Sequence, residues 1–115
     1  MTSKLINQQN VKAVINAIKY IYFKEEIYKE NLNAIIGNKL LTTLDLEINL
    51  DEISVQELIK ELSKKLKIID ENIIKLIEVS SNFNNIVDFV YEIDKLEAIM
   101  ENSESKGLQI LTIFK

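Results

Sequence analysis

Four carboxylates near the end of the chain, Asp94, Glu97, Glu101 and Glu104, follow one another at i, i+3, i+7 and i+10. On a helix that spacing puts them along one flank, because 3.6 residues make a turn. With Asp88 and Glu92 they make the segment 88–104 strongly acidic. Such a flank can engage a basic groove on a protein, or imitate the phosphate spacing of a nucleic acid and block its channel. A plain solubilising face has the same composition. A second pattern, Lys60, Lys64 and Lys67 at i, i+4 and i+7, could touch phosphates. Glu57 and Glu61 lie among these lysines, and Glu61 precedes Lys65 in the favourable order for a pair, so a solvated, ion-paired face explains them more simply. Lys12, Lys19 and Lys24 stand beside Tyr20, Tyr22 and Phe23, as in a nucleic-acid platform or a membrane-facing helix, although core packing accounts for the aromatics equally well.

The missing residue types close off more chemistry than the present ones open. The chain has no His, Cys, Pro or Trp, and its 14 basic residues are all Lys. Zinc and thiol chemistry, histidine-activated nucleophiles and bidentate arginine clamps are excluded. Di-iron bundles need Glu-x-x-His, and phosphate-binding loops need glycines that are absent here. Asp45, Glu47, Asn49 and Asp51 imitate the start of a calcium loop, but Leu50 stands where its glycine belongs and Gln56 where its bidentate glutamate belongs. No catalytic residue, metal ligand or cofactor is expected, and the chain is expected not to be an enzyme. A net charge of −4 argues against nucleic acid as the partner, and without Arg the commonest guanine contact is lost.

The elements that would hold these residues can be read from periodicity. The chain's 115 residues, 47% hydrophobic, amount to one domain. Abundant Ile, Lys and Asn point to codon bias in an AT-rich genome, since the isoleucines keep helical spacing. From about Gln8 to Ile36, Val11, Val14, Ile15, Ile18, Ile21, Tyr22, Leu32, Ile35 and Ile36 predict a long first helix, with Gly37 as its C-terminal cap. The polar run 24–31 marks a kink or break in it. Leu44, Leu46, Ile48 and Leu50 alternate with polar residues, which predicts a half-buried strand. The β-prone tail 108–114 is its natural partner.

Ser54-Val55-Gln56-Glu57 spells a capping box, with Ile53 and Leu58 as its hydrophobic staple. The helix it opens runs to about Lys67, with Val55, Leu58, Ile59, Leu62 and Leu66 inward. Asp70 caps the next helix, stapled by Ile69 and Ile74 and ending near Ser80. A last helix places Phe83, Ile86, Val87, Val90, Ile93, Leu96 and Met100 inward and frays over 101–106. The predicted fold is therefore mainly α: a single-domain helical bundle, 1–115, with a long first helix and a small two-stranded β element pairing 44–50 with 108–114. A purely helical bundle is the alternative.

Residues 45–90 loosely resemble the second half of an acyl carrier protein. The resemblance rests on Asp45-Leu46, on Asp51-Glu52-Ile53-Ser54-Val55-Gln56-Glu57-Leu58 where carriers have Asp-Ser-Leu before an amphipathic helix, and on Asn85-Ile-Val-Asp-Phe-Val90 in the last helix. Glu52 stands where carriers bear the phosphopantetheine serine, so the resemblance implies a degenerate carrier-like domain that cannot be loaded. The expectation that fits the sequence best is a non-catalytic protein-interaction domain, such as a small inhibitor, immunity or adaptor protein of an AT-rich bacterium or its phage. It would bind a protein partner through its charged faces: Asp94, Glu97, Glu101 and Glu104, or Lys60, Lys64 and Lys67. The alternatives are the degenerate carrier and a nucleic-acid-binding accessory protein using those three lysines. A cytoplasmic location is expected, with no transmembrane segment. An unpaired strand edge would also permit pairing across a two-fold axis or with a target strand.

Overall fold

A computed structural model of the protein describes residues 3–37 and 50–113, with side chains described for 4–37 and 50–101. Six helices make up the described residues: α1 (Ser3–Ile6), α2 (Gln9–Phe23), α3 (Glu26–Ile36), α4 (Val55–Leu66), α5 (Glu71–Ser80) and α6 (Ile86–Ile113). Among them α2 is central. It packs against α1, α3, α4 and α5, and its Val11, Ala13, Val14, Ile15, Ala17, Ile18 and Ile21 are buried. The buried side chains of all the helices form one cluster.

The expected long first helix is two helices. Lys24 adopts φ 59°, ψ 32° and donates its N–H to the Tyr20 carbonyl at 2.8 Å, which ends α2. The break falls where 22–31 offers no buried side chain. By turning there, the chain brings Leu32 back onto the core, with Ile35 and Ile36 packed at its edge. Gly37 does end α3, at φ 85°, with its N–H on the Asn33 carbonyl.

The two-stranded element is also corrected. No strand occurs among the described residues, and 108–113 are the last turns of α6. The other proposed strand, 44–49, lies outside the described residues. The expected fraying over 101–106 is absent as well, since α6 runs unbroken through it. Gly107 weakens a helix interior by only about 1 kcal/mol and no proline interrupts it, so a helix already anchored by its first four turns carries on through β-prone residues. On α6 the expected inward face holds except at Val87, which is 54% exposed while Phe89 is buried. Ile86, Phe89, Val90 and Ile93 stand at i, i+3, i+4 and i+7, and Val87 falls off that stripe by a third of a turn.

α4 follows the sequence closely. Ser54 Oγ accepts from the Glu57 N–H at 3.1 Å, and all five expected apolar residues are buried. α5 opens with Asp70 accepting from the Ile73 N–H at 2.9 Å and from the Asn10 amide at 2.7 Å, which ties it to α2. Its staple residues Ile69 and Ile74 are both exposed.

Candidate functional site

α2 carries no acidic residue, yet it holds a lysine in the part of the helix that faces the core. The Lys19 side chain is 5% exposed, and its Nζ lies 2.6 Å from Asp94 Oδ1 and 3.0 Å from Glu97 Oε2. It also sits 5.6 Å from the centre of the Tyr28 ring, itself stacked on Phe23. Burial pulls the amine's pKa down, but hydrogen bonds to both carboxylates and their negative charge outweigh it and hold the pKa above its ordinary value of 10.5. Lys19 is therefore an ammonium ion at neutral pH. Asp94 and Glu97 keep 51% and 43% of their side chains in solvent, so the pair bridges the interior and the surface.

Next to this ion cluster a cleft of about 560 Å³ opens over α2. Lys12, Asn16 and Lys19 form its floor, Tyr28, Asn31 and Ile35 its α3 wall, and Glu97, Met100 and Glu101 its α6 wall. Asn16 donates to the Lys12 carbonyl at 2.8 Å and accepts from the Asn31 amide at 3.2 Å, which fixes the floor to the α3 wall.

The acidic flank expected from the sequence thus divides. Asp94 and Glu97 meet on Lys19, Glu101 is exposed on the cleft wall, and Glu104 lies in α6 with its side chain outside the described residues. Lys60 and Lys64 are exposed on α4, away from the cleft lining. Lys67 is exposed but leaves their row, because at φ 56°, ψ 44° it forms the left-handed cap of α4. Glycine adopts that conformation freely and lysine does not. Lys67→Gly is therefore expected to raise the unfolding free energy by about 0.5–1 kcal/mol, read as a higher denaturant midpoint.

The sequence placed Lys19 only in an exposed row with Lys12 and Lys24, not opposite the acidic flank, and it did not single out Tyr28. The available signal was the absence of any acid on α2 to pair with a lysine flanked by Ile18 and Ile21. Burial also removes Lys19 from any surface row with Lys12 and Lys24, the latter being the cap of α2. Among the described residues no group of three or more carboxylates could hold a metal ion. None of their helices is long and apolar enough to cross a membrane.

No family model, curated protein or solved structure matches this chain. The carrier-like stretch therefore gains no support from relatives. In the structure Ser54 is engaged as a helix cap, and Glu52 is exposed in the turn before it. What the cleft can do must be argued from its own groups. The carboxylates that line it are Glu101 and Glu97, the latter also held by Lys19, and beside them lie the apolar surfaces of Ile35 and Met100. That combination suits a cationic side chain on an amphipathic segment.

Proposed function

We propose that this chain is a non-catalytic protein-interaction domain, of the inhibitor or adaptor kind, and that the cleft between α3 and α6 receives a basic segment of a partner protein. The observation that supports this reading is the charge on the α6 wall. Asp94, Glu97 and Glu101 bring three carboxylates to one flank, against the buried ammonium of Lys19 and the half-buried one of Lys12 on the floor, which leaves one negative charge in excess. The surplus negative charge borders a cleft with apolar patches, where a partner's lysine or arginine would gain both a counter-ion and partial exclusion from water.

Glu101 is the residue to reverse. Glu97 and Asp94 hold Lys19, so changing them confuses binding with folding, whereas Glu101 is exposed on the wall. Glu101→Lys should weaken capture of the partner by about tenfold, equal to about 1.4 kcal/mol, while leaving the unfolding midpoint nearly unchanged. The measurement is affinity purification from the native host, followed by titration of the captured protein with both forms of the chain. Reversal of Lys60 and Lys64 serves as the comparison and should leave binding intact. Equal affinity for the Glu101→Lys form would remove the cleft from consideration, and loss of binding on reversing Lys60 and Lys64 would move the interface to α4.

A further inference from the structure

α6 is apolar on two sides. Ile86, Phe89, Val90 and Ile93 are buried in the core. At about 100° per residue, the direction half a turn from that stripe falls among Val87, Tyr91, Ala98 and Ile99. All four are exposed, Tyr91 most of all at 73%. Asp88 and Lys95 are the exposed charges set among them. The outer side of α4 is built differently, from the exposed charges Glu57, Lys60, Glu61 and Lys64, as suits a face in water. A lone surface isoleucine needs no explanation, but an apolar row more than three turns long, opposite the core side of the same helix, marks a surface that something covers.

The two charges point to the occupant. Asp88 and Lys95 stand seven residues apart, so they lie along the same edge of this face, one before Tyr91 and one after it. When two identical helices pack antiparallel about a two-fold axis, each edge meets the same edge of the other copy in reversed order. With Tyr91 beside the axis, Asp88 comes opposite Lys95 of the partner subunit, and symmetry makes the same pair a second time. Along the other edge Val87 meets Ala98 of the partner subunit, whose small side chain lets the helices approach. We propose that the outer face of α6 is the interface of an antiparallel homodimer centred on Tyr91. One helix face is small among specific interfaces, so the dimer is a weak one that fills by mass action as the chain is concentrated. Nothing in this pairing depends on what the cleft receives.

Sedimentation equilibrium of the full-length chain, from low-micromolar to near-millimolar concentration, reads the association. The natural chain is expected to pass from monomer to dimer over that range. Asp88→Lys sets lysine against lysine at both ends of the interface, and Lys95→Asp sets acid against acid, so each should raise the dissociation constant by about tenfold or more. Mixed in equal amounts, the two variants recover both ion pairs, and the mixture should dimerise as the natural chain does. Tyr91→Ala should also stay monomeric, and because that side chain stands mostly in water it keeps the test open if a charge reversal in the first turn of α6 disturbs folding. Circular dichroism establishes that each variant is folded. A natural chain that stays monomeric throughout overturns the proposal, as do folded variants that all dimerise like the natural chain. A mixture no more dimeric than its two components overturns the antiparallel register.

Discussion

Phe89→Ala is expected to lower the unfolding free energy by about 3–5 kcal/mol, the usual loss for a large aromatic removed from a core. The ring is 1% exposed and meets Phe83 edge-on, with centroids 5.4 Å apart. It belongs to the stripe of Ile86, Phe89, Val90 and Ile93 that seats the start of α6 on the core. Truncation removes the transfer energy of the ring and the edge-to-face contact, and it leaves a void that neighbouring helices fill only in part. Domains of this size have roughly 5–15 kcal/mol in all, so the variant should unfold at a much lower denaturant concentration, or fail to fold at 37 °C. Phe89→Leu keeps most of the volume and should lose less than half as much. Equal effects of alanine and leucine would mean that the ring is not packed as described. Circular dichroism during a urea titration reads both.

Removing the two carboxylates from Lys19 is the second large effect, and its size depends on which side of the pair is cut. In Asp94→Ala with Glu97→Ala, a buried ammonium is left without a counter-ion, which is expected to cost about 3–5 kcal/mol. In Lys19→Met the side chain keeps its length and the half-exposed carboxylates take up water, so about 1–2 kcal/mol is expected. The pH response separates the two further. In the natural chain Lys19 has a raised pKa, so its contribution is fully present below 10.5 and is lost as pH rises through the raised value. Without the carboxylates only burial acts on the amine and pulls its pKa down. The folded state then releases the proton before the unfolded state does, so stability rises with pH as 10.5 is approached. Urea midpoints between pH 8 and 11 should therefore fall for the natural chain and climb for the double variant. Parallel curves would show that Lys19 is not held as described.

How much of this could be read in the sequence follows from how local each signal is. Ser54, Glu57 and the Leu58-Ile59-Leu62-Leu66 spacing lie within one segment, and α4 agrees with them residue by residue. Asp70 capped α5 for the same reason. The Lys24 break was visible only as a polar run, because a lysine in the left-handed region has no sequence signature of the kind that Gly37 has. The tail 108–113 has β-prone residues, but a helix propagating from Ile86 decided its state, which is a tertiary and cooperative matter. Asp94 and Glu97 were recognised as an acidic flank. Their engagement could not be, because the lysine that meets them is 75 and 78 positions away and looks in sequence like any other lysine of α2.

That separation along the chain also orders the assembly of the fold. The α2–α3 and α4–α5 pairs join neighbouring segments through short or moderate loops, so each can form with little loss of chain entropy. α6 must find α1 and Lys19 across most of the sequence. Contacts made late in folding govern escape from the native state more than entry into it. Changes at Lys19, Asp94 or Glu97 should therefore appear almost wholly in the unfolding rate, and the two carboxylates would set the lifetime of the folded protein more than the speed at which it is reached.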